Sequence, residues 1–401
     1  MKKLWWLLAG ALLVQKIWKH WLVWRFFRQP IPPVDREPAR VSILQPILSG
    51  DPTLAECLQA NLTVRTRSRL EFIWLIDSDD PTAQTVCREL AVTNGHHPVE
   101  IVTLPPPGQR DNPKTIKLIA GLAHARGDII CVLDDDTRLP DWGLEQCLPF
   151  LNQPSAGLAF GLPYYSSFGT VWSSLIALFV NDQSLLTYIP YTAFAEPFTI
   201  NGMFYATRRD VLERVGGFTG LEGILADDFA IASRFRKHGY RLVQTPLCHA
   251  ISTSVRGPRH YLSLIQRWFI FPRESLLRHL NAYDRAVLYG MSMAPTLFPL
   301  VLLVALALKP SPKLWAYTLL YFGHSVLAFG HFNTAYLRQA TPVHYLWVVP
   351  LLEIIFPLQL LTAIGSRQRI VWREHVMQVE RGGTFHFVRR SSRSSAKSVG
   401  D

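Results

Sequence analysis

Three groups of acidic residues and one cation beside an indole carry the side chains that could do chemistry in this chain. Asp77-Ser78-Asp79-Asp80 closes the apolar run Phe72 to Ile76, and Asp134-Asp135-Asp136 closes the run Ile129 to Leu133, which has nothing polar in it. Carboxylates crowded at the end of a buried strand repel one another unless a cation sits among them. An Asp134-x-Asp136 spacing on extended backbone sends alternate side chains to one side, towards a common point. Magnesium or manganese suits such a pair, because hard ions take one or two carboxylates together with substrate phosphates.

The other acids divide between capping and catalysis. Asp80-Pro81 has the pattern of a helix cap followed by proline in the first turn, and Asp79 is assigned to the same turn. In Ala226-Asp227-Asp228-Phe229, Asp227 is expected to cap the following helix, which leaves Asp228 for catalysis. Further on, Gln266-Arg267-Trp268 lies in the helical run Tyr261 to Phe271. There a guanidinium could stabilise the charge of a departing diphosphate.

Alternating strands and helices are needed to hold these groups. Val41 to Leu44, Phe72 to Ile76, Ile101 to Leu104 and Ile129 to Leu133 read as strands; helices follow at Leu54 to Leu62, Ala83 to Val92, and from Asn112-Pro113 to Gly127. The Asp51-Pro52 and Asn112-Pro113 pairs are expected to be caps. Fully apolar strands alternating with helices predict an α/β fold with a mostly parallel sheet covered on both faces. Ligands of such sheets bind at the carboxyl ends of the strands.

The rest of the chain reads as membrane-associated. With 401 residues, 49% hydrophobic and 18% charged, it can hold one large domain and several apolar helices. Its formal charge of +11 gathers beside apolar runs and near the end of the chain, which argues for a membrane surface and against nucleic acid. The predicted organisation is an N-terminal membrane anchor (1–28), a Pro-rich linker (29–39), a catalytic domain (40–280), membrane helices (281–366) and a basic cytoplasmic tail (367–401). Leu288 to Leu308, Leu314 to Phe332 and Val343 to Ile364 have the length that ~30 Å of hydrocarbon requires. Three crossings would place the tail opposite the catalytic domain, whereas its arginines favour the cytoplasm. Val171 to Val180, too short to span, reads as a core or amphipathic element near the membrane, and Ser391 to Gly400 as disordered. The five cysteines form no CxxC or CxxxC pair, which argues against zinc or disulfides and for ordinary buried thiols.

Taken together, these residues resemble ceramide glucosyltransferases and their bacterial relatives among the family 2-type transferases of GT-A fold. The likeness is carried by Val41 to Pro46, Asp77 to Pro81 with Val86-Cys87, Asn112-Pro113-Lys114, Asp134 to Asp136, and Gly202 through Asp228 to Arg267-Trp268. Trp372-Arg373 with Gly382-Gly383-Thr384 is a weaker echo.

The resemblance implies an inverting transfer of a hexose, glucose favoured, from a UDP-sugar to the hydroxyl of a membrane lipid such as ceramide or diacylglycerol. It assigns donor binding to Pro46, Asp77, Lys114, Asp134 and Arg267, with Mg2+ or Mn2+ on Asp134 and Asp136. Catalysis falls to Asp228 as base, with Arg267 and Trp268 from a (Q/R)xxRW motif. Leu264 stands where that motif has Gln or Arg, and Gln266 is a candidate substitute. The implied location is a bacterial inner membrane or its equivalent, with the catalytic domain cytoplasmic. The alternatives are a processive polysaccharide synthase and a catalytically silent protein that binds nucleotide sugars.

Overall fold

The computed structural model describes residues 2–33, 37–93, 96–271, 273–274, 277, 280–339, 341–364, 368–372 and 375–390. An N-terminal helix, α1 (Lys2–Phe26), precedes the α/β region. That region runs β1 (Arg40–Pro46), α2 (Leu54–Leu62), β2 (Arg69–Asp77), α3 (Pro81–Thr93), β3 (Val99–Leu104), α4 (Pro113–His124), β4 (Ile129–Leu133) and β5 (Thr137–Arg138). It continues as β6 (Ala156–Tyr165), α5 (Val171–Tyr191), β7 (Phe204–Arg208), α6 (Arg209–Arg214), α7 (Asp227–Lys237), β8 (Arg241–Ile251) and α8 (Pro258–Phe271).

The eight strands form one sheet in the order β3-β2-β1-β4-β7-β6-β8-β5. The pairs β1–β2, β1–β4, β2–β3 and β6–β8 are parallel, whereas β4–β7, β6–β7 and β5–β8 are antiparallel. Alternation along the strands supplies two cores. Ile43, Phe72, Trp74 and Cys131 face one way with Leu58 and Cys87, while Leu44, Ile73, Leu75 and Ile130 face the other with Leu118 and Phe235. Trp74, fully buried, donates its indole N–H to Gln45 Oε1 at 3.0 Å, so the core keeps no orphan there. All five cysteines are free and buried.

Beyond α8 come α9 (Ala282–Leu308), α10 (Pro312–Phe332) and α11 (Val348–Ile364). Among the described residues only α9, 27 residues long, is long and apolar enough to cross a membrane. Helix α1 has 25 residues, but Lys16 and Lys19 interrupt its apolar surface. Lys16 pairs with Glu353 of α11 at 2.8 Å and lies 3.9 Å from the Tyr321 ring of α10, which ties the three helices together. The apolar stretch from Val171 and the aromatic one from Leu185 belong to a single 21-residue helix, α5, whose residues are largely buried.

The last segment departs from the expected basic tail. Residues Arg369–Trp372 (β9), His375–Val379 (β10) and Phe385–Arg389 (β11) form an antiparallel sheet packed on the α/β domain. Ile370, Met377, Val379, Phe385 and Phe387 share a core with Leu225 and Ile270. The apolar-polar-apolar alternation of Met377-Gln378-Val379 and Phe385-His386-Phe387 is a strand signal that the abundance of arginine obscured. Ser391 to Gly400 lies outside the described residues.

Candidate active site

The carboxyl ends of β1 and β4 open into a cavity of about 2000 Å³ that extends between α1, α5, α9 and α11. Asp134 and Asp136 line it, and the intervening Asp135 turns inward to accept from the Leu48 N–H at 2.8 Å. The backbone here is not the extended chain expected from the spacing: Asp135 and Asp136 lie in a turn closed by Thr137 N–H donating to the Asp134 carbonyl at 3.1 Å, and Asp135 also borders the cavity.

Lys114, in the first turn of α4, bridges two acids. Its Nζ lies 2.7 Å from Asp134 Oδ1 and 3.3 Å from Asp227 Oδ2, and donates to the Gly202 carbonyl at 2.7 Å. Burial pulls the ammonium towards neutrality, but the charges of Asp134 and Asp227 outweigh it and raise its pKa. Asn112 holds α4 in place: its Oδ1 accepts from the Lys114 N–H, and its Nδ2 donates to the carbonyls of Ile224 and Leu225.

Asp227 is not the cap expected of it. Ala226 occupies the N-cap position without a side-chain bond, and Asp227 reaches across to Lys114. Asp228 lines the cavity next to it, and Phe229 N–H donates to its Oδ1 at 2.7 Å. Burial first, and then the Asp227 charge, push Asp228 up to about 7, the range in which a carboxylate works as a general base near neutrality. Gly202 permits this packing, because a Cβ there would lie 3.1 Å from that of Asp228.

Arg267 and Trp268 reach the cavity from α8, as does Leu264. The apolar face of α8 buries Leu264 and Ile265, and the Trp268 ring stacks on Phe179 of α5 at 6.2 Å and 15°. Gln266 takes no polar place in the cavity that would offset Leu264. It donates instead to the Arg369 carbonyl of β9 at 3.3 Å.

Pro46 lines the cavity, whereas Asp77 is only 5% exposed and pairs with the buried Lys117 at 2.9 Å. It is Lys117, also bonded to the Ile47 carbonyl at 2.8 Å, that lines the wall there. Asp80 caps α3 through Ala83 N–H as expected, but at the start of α2 it is Thr53, not Asp51, that occupies the N-cap position, its N–H donating to Asp51. Residues that sequence reasoning passed over, among them Lys117 and the Arg389-Arg390 pair at the end of β11, add to the cationic part of the wall.

The donor set fits a hard divalent ion on Asp134 and Asp136. Among the described residues no three His, Cys, Asp or Glu side chains converge as a metal site, so the remaining positions of such an ion would fall to water and to substrate phosphates.

The sheet, with its carboxylates beside a large cavity at the strand ends, defines an α/β protein whose candidate site lies where ligands of such sheets bind. Residues 4–385 match the model of Glycosyl transferase family 21, and the chain belongs to that family. It is 24% identical over 247 residues to the probable glycosyltransferase YdaM of Bacillus subtilis (strain 168), a match that takes in 59% of this chain and 56% of that protein. The chain thus spans about half the length of this curated relative. In fold it is similar to the mannosyltransferase PcManGT from Pyrobaculum calidifontis, solved in complex with GDP-Man and Mn2+. The TM-score is 0.50 at 19% identity, over 81% of this chain and 96% of that one.

Proposed function

We propose that this protein transfers a hexose from a UDP-sugar to the hydroxyl of a membrane lipid, with inversion at the anomeric carbon. The observation that carries the reading is one continuous cavity, polar and acidic at the strand ends and walled by apolar helices at its far side. A nucleotide sugar suits the first part and a lipid acceptor the second, with α9 supplying a membrane-length helix. That the solved mannosyltransferase holds GDP-Man and Mn2+ supports a sugar nucleotide and a divalent ion here as well.

In this mechanism Pro46 and Lys114 help to seat the donor, and Asp77 acts through Lys117. A divalent ion on Asp134 and Asp136 would neutralise the diphosphate. Asp228 takes the proton of the acceptor hydroxyl as its oxygen bonds to the anomeric carbon. The bond from that carbon to the phosphate oxygen breaks on the opposite side, which gives inversion. Arg267 faces the developing charge of the nucleoside diphosphate, and Trp268 shapes the wall against which sugar and acceptor meet. An Asp228 held near neutrality by its surroundings can accept a proton that an ordinary surface carboxylate would leave in place.

Purified full-length protein, given a panel of UDP-sugars, membrane lipid extract and manganese, tests the proposal. A glycolipid product that disappears with Asp228→Asn is the expected result. A polymeric product would favour a synthase, and nucleotide binding without any transfer would overturn the catalytic reading.

A further inference from the structure

The C-terminal sheet is a separate element of sequence, beyond the last apolar helix, yet it forms part of the cavity. Its β10–β11 turn uses Gly382 and Gly383, both at positive φ (97° and 91°), a conformation that favours glycine. The Gly383 carbonyl accepts from Leu225 N–H at 2.9 Å, and Thr384 pairs with Ile224. Those contacts anchor the sheet to the segment that delivers Asp227 and Asp228.

At the other edge of the sheet, Phe387 N–H donates to the Gln109 carbonyl at 3.0 Å and Arg390 donates to the Pro107 carbonyl at 2.5 Å. The Arg390 guanidinium lies 3.9 Å from Asp79 and 5.7 Å from the centre of the Phe387 ring. Pro107 follows β3 and Asp79 follows β2, so Arg390 stands above the carboxyl ends of those two strands. The carboxylates that would hold the diphosphate follow β4, on the other side of β1 in the sheet. A nucleotide whose diphosphate lies at Asp134 and Asp136 and which extends along the strand ends across β1 brings its nucleoside to Arg390.

We infer that the C-terminal sheet closes the nucleoside end of the donor cavity and that Arg390 contacts the nucleoside of the bound nucleoside diphosphate. A planar guanidinium with five N–H donors suits this place, because it can bond to base carbonyls or ribose hydroxyls and stack on the base. Its carbonyl partner leaves the positive charge intact, and Asp79 is far enough away to offset it only in part. The inference rests on reading the cavity as a nucleotide-sugar site.

Isothermal titration of the full-length protein in detergent, with manganese present, separates the two ideas. UDP, GDP and inorganic pyrophosphate are the probes, and wild type is compared with Arg390→Ala and Arg390→Gln. The expected result is a loss of UDP or GDP affinity of at least tenfold in both variants, with pyrophosphate affinity and thermal midpoint unchanged. Should Arg390→Ala unfold, Arg390→Gln, which keeps a polar side chain and N–H donors, carries the comparison. Equal nucleotide affinity in wild type and variants would overturn the inference while leaving the proposed function standing. So would an equal loss for nucleotide and pyrophosphate, since the contact would then not be to the nucleoside. A wild type that binds neither nucleotide would remove the proposed function and the inference with it.

Discussion

The Lys114 ammonium lies 2.7 Å from Oδ1 of Asp134, one of the two carboxylates suited to a divalent ion. On the proposed reading a divalent ion would compete with the ammonium for Asp134, and Lys114 would then turn to another anion. A donor phosphate provides one. Without a ligand the contact keeps Asp134 charge-balanced, with Asp227 sharing the ammonium at 3.3 Å.

Replacing Lys114 with Met tests this relationship. Without donor, Mn2+ binding followed by electron paramagnetic resonance is expected to tighten roughly tenfold, the equivalent of about 1.4 kcal/mol. Transfer is expected to slow by on the order of a hundredfold, because a cation that reaches the donor phosphates is lost. Unchanged Mn2+ affinity would show that Asp134 is not a metal ligand.

Asp228 sets the expected dependence on pH. A carboxyl group raised to about 7 is protonated and inactive as a base in mild acid, so kcat/KM should rise with pH through about 7 and then level off. Burial is the larger cause and remains in an Asp227→Asn variant, but the neighbouring charge is removed. The rising limb should then move to lower pH without vanishing. A limb that stays in place would show that Asp227 does not act on the base.

Asp77 and Lys117 form a buried pair, with side chains 6% and 3% exposed. Removing one partner takes its charge away from the other, which stays buried, and breaking such a pair costs up to roughly 3–5 kcal/mol. Asp77→Ala is therefore expected to lower the denaturation midpoint markedly, whereas a residue that only touched the nucleotide would leave it unchanged. Denaturant melts of the ligand-free protein distinguish the two.

The docked C-terminal sheet also constrains membrane topology. The α/β domain and the sheet share the core around Leu225 and Phe385, so both must lie on one side of any bilayer. The helices between them then cross an even number of times, and at least one of the three apolar stretches does not span. All five native cysteines are buried, which leaves a quiet background for single exposed reporters at Lys237→Cys and Arg381→Cys. An impermeant maleimide should label both from the same face of sealed vesicles; opposite faces would refute the docked arrangement.

Much of the site was legible because it depends on short-range patterns. The apolar strands that lead into Asp77 and Asp134 and the proline after Asn112 follow from local backbone geometry, and each appears in the structure at or near its predicted bounds. The assignment of Asp227 failed for the complementary reason. An acid in the first turn of a helix looks the same whether it caps that helix or reaches a lysine 113 positions earlier in the chain.

By itself the sequence determined the α/β alternation, the strand ends at which chemistry is possible and the apolar helices beyond them, since these arise from periods of two and 3.6 residues. Only the tertiary structure decided which charges meet. It joined Lys114 to Asp134 and Asp227, placed Lys117 against Asp77, turned Gln266 away from the cavity and packed the strands Arg369–Trp372, His375–Val379 and Phe385–Arg389 onto the α/β domain. The physical reason is that these contacts join elements far apart along the chain. Their energies depend on burial and on which opposite charge lies within a few ångströms, and no local pattern encodes either.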